Sequence, residues 1–199
     1  MAIRVVVMGA PGAGKGTQCE RLCRRFGVPQ ISTGDILREA KKNRTPLGMQ
    51  ADGIMSKGLL VPDEVVVGIV EDRLRGSDCI NGFVLDGFPR TIEQADALER
   101  MLVRHSTQID RVVSLDVAED EVVRRISGRR TCSACGEIAH VEFNPPVEAK
   151  VDAGRCARCG GALVQRDDDR EATVRERLSV YREKTAPLIA SYEAKGQLV

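Results

Sequence analysis

Three groups of side chains in this 199-residue chain have the types and spacing for chemistry. The first is Gly9-Ala-Pro-Gly-Ala-Gly-Lys-Gly-Thr17, which almost satisfies the phosphate-loop pattern G-x-x-x-x-G-K-[ST]. Small residues at Gly12, Ala13, Gly14 and Gly16 let successive backbone N–H groups turn inward around a polyanion. The helix that follows adds its positive N-terminal end, and Lys15 reaches toward the outer phosphates. The pattern misses at its last position, because Gly16 follows the lysine and the hydroxyl arrives one residue late, at Thr17. A Mg²⁺ ion therefore has to be held mainly by phosphate oxygens and waters, with a carboxylate elsewhere positioning them. Asp86, at the C-terminal end of an apolar run, is the candidate; its Asp-Gly setting also suits a turn or cap aspartate.

The second group is cationic. Phe83-Val-Leu-Asp-Gly-Phe-Pro-Arg90 sends an apolar run into a turn ending in arginine. In open α/β sheets, ligands collect outside the carboxyl ends of strands, so Arg90 points where phosphate belongs. Arg125 and Arg129 are four apart and are expected on one helix face; Arg166 precedes Asp167-Asp-Asp169, and Arg177 follows on the final helix. Either these arginines converge as a bidentate clamp on a phosphoryl group, or each is a solvated surface group.

The third group is Cys132-Ser-Ala-Cys135 and Cys156-Ala-Arg-Cys159, twenty residues apart, inside the C-x₂-C…C-x₂-C spacing of a zinc site. Four thiolates fill a tetrahedral ion and leave no open position, so the metal is expected to be structural. Iron suits the same four-sulfur cage. Cys19, Cys23 and Cys79 read as small hydrophobes.

The elements that must position these groups alternate. Residues 3–8 and 82–86 are mainly apolar and lack alternation, so they read as buried parallel strands, with 111–117 a weaker third. Helical patterns cover 15–26, 35–42, 62–75, 91–104 and 119–130, and Thr91-Ile-Glu-Gln94 resembles a capping box. A last helix is expected from about 169 toward 187. The expected class is α/β, a parallel sheet wrapped by helices. Residues 131–167, with paired cysteines, Pro145-Pro146 and Gly160-Gly161, break the rhythm as an insertion. Charged residues make up 30% of the chain, yet the net charge is only +1, which argues against a nucleic-acid or anionic-membrane partner. The chain has no apolar run of the roughly 20 residues a membrane span requires. Seven cysteines, four of them in metal spacing, suit a reducing compartment. The expectation is a cytoplasmic protein.

GAPGAGKGTQ, Gln30-Ile-Ser-Thr-Gly-Asp-Ile-Leu-Arg38, Asp86-Gly-Phe-Pro-Arg90 and Gly128-Arg-Arg130 together closely resemble the adenylate kinases. So do Asn144-Pro-Pro146, Asp168-Asp169 and Thr173-Val-Arg-Glu-Arg177. The chain is similar to the bacterial long-lid, zinc-binding form from residue 1 to its end, and in that family GKGT is the normal loop.

The resemblance implies a P-loop NTPase-type core over 1–31, 62–127 and 170–199. It adds a helical NMP-binding insertion over 32–61 and a zinc-stapled lid over 128–169. It implies ATP + AMP ⇌ 2 ADP with Mg²⁺, direct transfer without a phosphoenzyme, and a monomer. ATP is expected on Gly12, Ala13, Gly14, Lys15, Gly16 and Thr17, with Arg129 and the Ile138-Ala139 stretch on the lid side and Arg125 close by. AMP is expected against Thr33, Arg38, Leu59, Leu60, Val61, Gly87, Phe88, Pro89, Arg90 and Gln94, with Arg166 and Arg177 near its phosphate. Family lids usually carry an aromatic over the adenine near Ile138-Ala139; alanine here leaves ATP selectivity to backbone contacts. Family members also usually continue past Gly196-Gln-Leu-Val199 with a further strand portion and a helix. The amide of Gln94 pairs with adenine in one orientation and with guanine in the other, so the residue type alone leaves the base open. Two rivals stand beside this reading: another phosphate-loop enzyme, a kinase for a different nucleotide or an ATPase, and a zinc-ribbon nucleic-acid module using Arg129, Arg130, Arg155 and Arg158.

Overall fold

The computed structural model describes residues 2–143 and 154–199; the Asn144-Pro-Pro146 motif lies outside the described residues. Four parallel strands form the main sheet: β1 (Ile3–Gly9), β2 (Gln30–Ser32), β3 (Gly82–Asp86) and β4 (Arg111–Leu115), in the order β2-β3-β1-β4. Alternate residues of β1 point to opposite faces, and both faces are covered. Val6 and Met8 join one apolar cluster with Val70, Leu98 and Leu188; Val5 and Val7 join another with Cys19 and Val28. A strand buried on both sides has no reason to alternate, which is why 3–8, Arg4 apart, reads as an apolar run.

The helices are α1 (Lys15–Phe26), α2 (Thr33–Lys42), α3 (Pro46–Met55), α4 (Asp63–Leu74), α5 (Ile92–Arg104), α6 (Glu119–Ser127), α7 (Glu171–Val180) and α8 (Pro187–Ala194). Helix α1 stops at Gly27, whose left-handed φ of 66° lets its N–H close on the Cys23 carbonyl. Ser32 caps α2 by accepting the Asp35 N–H, and Thr45 caps α3 by accepting the Gly48 N–H ahead of Pro46. Strand β2 and helix α3 were not among the elements expected from the sequence. The first is three residues long; the second carries a weak apolar stripe, although Thr45-Pro46 is a good start signal.

Three expectations change. The weak strand ends at Leu115, not at 117. The helix from 119 stops at Ser127, so Arg125 and Arg129 do not share a helix: Arg129 opens a second, antiparallel sheet. That sheet comprises β5 (Arg129–Cys132), β6 (Ile138–His140) and β7 (Leu163–Val164), in the order β6-β5-β7. Gly128 permits the change, because a Cβ there would lie 2.4 Å from Cε1 and Nε2 of His140 as β6 folds back over the helix end. Finally, the last helix begins at Glu171 and is broken by a π-type turn, Tyr181–Thr185, before α8. Beyond it, Val199 donates to the Val112 carbonyl and Val112 to that of Gln197, so residues 197–199 pair in parallel with the β4 edge.

Candidate active site

The glycine loop leaves β1 and enters α1 with the Ala13 N–H donating to the Ala10 carbonyl at 3.1 Å and the first amides of α1 left open. Gly14, at φ 95°, is the N-cap and offers no side-chain bond, and the first turn carries no acidic residue. Helix N-termini normally need an acceptor for these groups; here the acceptor is left to a ligand. The loop is pinned from behind by a cluster of Ala10, Val122, Ile126, Val174 and Leu178. Gly12 sits against it at φ 79°, where a Cβ would come 2.5 Å from Cγ1 of Ile126. Lys15 folds over the loop and donates from Nζ to the carbonyls of Gly9 and Ala10, both at 2.8 Å.

Asp86 ends β3 beside Val7 of β1 and Ser32 of β2, across from Lys15. Its Oδ2 accepts from Nε2 of Gln30 at 2.9 Å and lies 3.6 Å from where a Cβ on Gly16 would stand. A glycine at 16 thus leaves the carboxylate clear of side chain. Burial raises the Asp86 pKa, against the pull of Lys15.

The turn after β3 holds Arg90 in place. Its Nε donates to the Gly87 carbonyl at 2.7 Å, its backbone N–H to Oε1 of Gln94 at 2.8 Å, and its carbonyl accepts from Thr185 at 2.8 Å. Thr33 also donates to the Gly87 carbonyl, at 3.1 Å. The Arg90 guanidinium keeps its two terminal nitrogens without a hydrogen-bond partner among the described residues.

Arginines from four regions meet here. Arg129 is gripped by Asp169, Nε to Oδ2 at 2.9 Å and Nη2 to Oδ1 at 2.5 Å. Arg177 donates to Oδ2 of Asp168 at 3.0 Å and lies 3.5 Å from Oδ1 of Asp169. Arg38 pairs with Asp35 at 2.5 Å. The electrostatics register the crowding. Burial, then Arg90, then Arg177 and Arg129 bring Lys15 from its usual 10.5 down to about 7 despite Asp86. Burial and Arg177 bring Arg90 to about 10; burial, Arg38 and Arg129 do the same to Arg166. Buried cations that also repel one another suit an anion, whose charge would relieve them; Arg129, held by Asp169, is raised instead.

The remaining expected positions fall around this core. Arg125 pairs with Glu121 on the half-exposed face of α6 and is not among the cations that act on Lys15. Thr17 is exposed on α1. Leu59, Leu60, Val61, Thr33 and Gln94 line one cavity at the mouth of the cleft. Phe88 is 1% exposed and belongs to the core, so that Gly87-Phe-Pro89 offers backbone to the cleft. Ile138 and Ala139 pair in register with Thr131 and Arg130 in the second sheet. The Thr91 capping box is half formed: Thr91 accepts the Gln94 N–H, but the Gln94 side chain returns to the Arg90 N–H, one residue before the cap. Four contributors were missed from sequence: Gln30, Asp35, and the carboxylates Asp168 and Asp169 as holders of arginines. Ordinary polar residues carry no local signal for a long-range partner.

The sulfurs of Cys132, Cys135, Cys156 and Cys159 all lie within 4.8 Å of one another. Cys132–Cys159 is 3.5 Å and Cys135–Cys156 3.7 Å. A tetrahedral ion with Zn–S bonds of about 2.3 Å requires sulfur–sulfur edges of about 3.8 Å. The fit is close. Backbone N–H groups of Cys135 and Ala134 stabilise the Cys132 thiolate and pull its pKa to about 6.

A glycine phosphate loop between a buried parallel strand and a helix, with a ring of arginines at the carboxyl edge of the sheet, defines a P-loop α/β phosphotransferase. Comparison with known proteins narrows this. Residues 7–197 match the family model described as adenylate kinase. An adenylate kinase of Geotalea uraniireducens is 56% identical over 98% of this chain and 88% of its own length. One from Caldicellulosiruptor saccharolyticus is 54% identical over 99% and 90%, and one from Syntrophotalea carbinolica 55% over 98% and 89%. The chain belongs to the adenylate kinase family.

Proposed function

We propose that this chain catalyses the reversible, Mg²⁺-dependent reaction ATP + AMP ⇌ 2 ADP by direct in-line transfer, with ATP on the glycine loop and AMP between α2, α3 and the Arg90 turn. The observation that carries this reading is the meeting of Lys15, Arg90, Arg129, Arg166 and Arg177 at the edge of the sheet. Phosphoryl transfer asks for in-line positioning and neutralised charge, and cations supply both. The loop amides and Lys15 hold the donor's phosphates. Arg38 and Arg90 hold the acceptor's phosphate, while Arg129, Arg166 and Arg177 surround the group in flight. An oxygen of the AMP phosphate attacks the γ-phosphorus and the bond to the β–γ bridging oxygen breaks, leaving ADP on both sides. Mg²⁺ bound with ATP would neutralise phosphate charge, and Asp86, steadied by Gln30, is the residue that would hold its water ligands. Water is excluded by the lid, 128–169, and by the NMP-binding insertion, 32–61, closing over the core.

Cys132, Cys135, Cys156 and Cys159 hold a structural zinc that staples the lid. The thiolate set suits the reduced cytoplasm, and no described helix is long and apolar enough to cross a membrane. The chain acts as a monomer, maintaining the balance of adenine nucleotides. The zinc-ribbon alternative finds little support: Arg129 is paired with Asp169, Arg158 with Glu137, and Arg155 donates to the Gly160 carbonyl.

A coupled assay offering ATP with AMP, GMP, CMP or UMP tests the reading. Turnover is expected with AMP far above the other three. A preference for another monophosphate reassigns the acceptor, and ATP hydrolysis without any acceptor overturns the transfer reaction.

A further inference from the structure

Gln94 is a buried amide whose two ends are chemically fixed. Its side chain is 1% exposed. Oε1 accepts from the Arg90 backbone N–H at 2.8 Å, a group that only donates; Nε2 donates to Oδ1 of Asp63 at 2.7 Å, a group that only accepts. Turning the amide over would set N–H against N–H at Arg90 and oxygen against carboxylate at Asp63. Asp63 is itself fixed. It is the first residue of α4, and its Oδ2 accepts from Thr91 Oγ1 at 2.9 Å, the hydroxyl that also caps α5 by accepting the Gln94 N–H. The carboxylate thus belongs to a closed circuit through Thr91 and Gln94, anchored on two helix starts.

Each end of the amide retains one unused valence, a lone pair on Oε1 and a hydrogen on Nε2. Gln94 lines the cavity with Thr33, Leu59, Leu60, Val61 and Arg90. We infer that Asp63 is the positioning residue that sets base selectivity at the acceptor site, by holding the Gln94 amide in one sense. This rests on the reading of that cavity as the acceptor-base pocket. Adenine presents a donor at N6 beside an acceptor at N1; hypoxanthine has the same outline with an acceptor at O6 beside a donor at N1. With the phosphate anchored on Arg38 and Arg90, a locked amide matches one of these edges and opposes the other. An amide free to turn serves both.

The test compares AMP with inosine monophosphate as acceptor, in the unaltered protein and in Asp63→Asn and Asp63→Ala. Removing a charged acceptor weakens the lock, so the AMP-to-IMP ratio of kcat/KM is expected to fall by about tenfold or more in both variants. The change should lie mainly in KM for the acceptor, with KM for ATP within about twofold, since uniform binding is what is lost. A ratio that stays put while AMP and IMP activities fall together would overturn the inference and leave Asp63 a plain structural acid. Failure of the unaltered protein to use AMP would instead sink the acceptor assignment, a distinguishable result. Should both variants fail to fold, NMR of the unaltered protein decides: Gln94 is expected to show slowly exchanging side-chain amide protons, one shifted downfield by the carboxylate. Exchange as fast as that of surface glutamines would contradict the lock.

Discussion

Arg129 and Asp169, forty residues apart, are joined by two near-parallel hydrogen bonds, and the carboxylate is fully buried. Arg129 opens the first strand of the cysteine-bearing sheet and Asp169 closes the turn that leads into α7, so the pair ties together the two ends of the inserted segment. Asp169 also faces Arg177. Removing it leaves two guanidinium groups crowded against each other with less counter-charge. Asp169→Ala is expected to destabilise the protein by about 3–5 kcal/mol and lower Tm by on the order of 10 °C. Thermal unfolding of Asp169→Ala beside the double variant Arg129→Met/Asp169→Leu checks this; the double variant should recover much of the loss. Equal losses in both would mean that the charges are not what the site balances.

Lys15 sets a pH dependence whose sign follows from its neighbours. Its folded pKa is about 7, depressed by burial and by Arg90, while an unfolded lysine stays near 10.5. Between those values the unfolded chain binds more protons, so stability without nucleotide should rise as pH climbs from about 7 toward 10.5. Nucleotide phosphates reverse the depression, and ATP binding at pH 8 should take up protons, with much less uptake at pH 5.5, where the lysine is already charged. Calorimetry in two buffers of different ionisation enthalpy reads the uptake, and Lys15→Met should abolish it. Identical uptake in Lys15→Met would assign the protons elsewhere.

Gly12 is a packing prediction. A methyl at a φ of 79° and 2.5 Å from Ile126 forces the loop outward, shifting the amides that cradle phosphate. A displacement of that order costs about 100-fold in kcat/KM for ATP. Steady-state kinetics of Gly12→Ala should show this loss, with a partial return in Gly12→Ala/Ile126→Val as the offending branch is shortened. No deficit would mean that the loop is not held rigid by α6.

Zinc removal should act locally. The four sulfurs are the only group of this kind among the described residues, and the sheet they border has two- to four-residue strands in which only Cys132 is buried. Metal analysis is expected to give one zinc per chain. Chelation, or Cys135→Ala, should split one calorimetric transition into two, the lid melting first while the core is unchanged. A single unaltered transition after complete removal would contradict a stapling role.

How far the sequence discloses this architecture depends on the range of the forces involved. Strands β1 and β3 and helix α1 are legible because their patterns are local: apolar runs buried on both faces, and a glycine at each end of the helix. Helix α6 is over-read past Ser127, since Arg129-Arg130 suit a helix as well as a strand; the chain leaves the helix at Gly128, where His140 stands close enough to exclude a side chain, a proximity absent from local sequence. Strand β2 is too short to show a period. The glycine loop, Arg90 and the four cysteines are spelled out by spacing, whereas the convergence of the arginines is not, because Asp168 and Asp169 hold them from distant positions. Gln94 is legible as a residue type, but its orientation is set by Asp63, thirty-one positions away.

The central claim is that cations from separate parts of the chain enclose a phosphoryl group passing between two nucleotides laid tail to tail. A crystal structure with a two-headed dinucleotide, two adenosines joined by five phosphates, tests it most directly. The account predicts Lys15 and the guanidinium groups of Arg90, Arg129, Arg166 and Arg177 within hydrogen-bond distance of the phosphate chain, with one adenosine beside Gln94. Guanidinium groups turned to solvent around an unliganded cleft, or the inhibitor bound elsewhere, would contradict it.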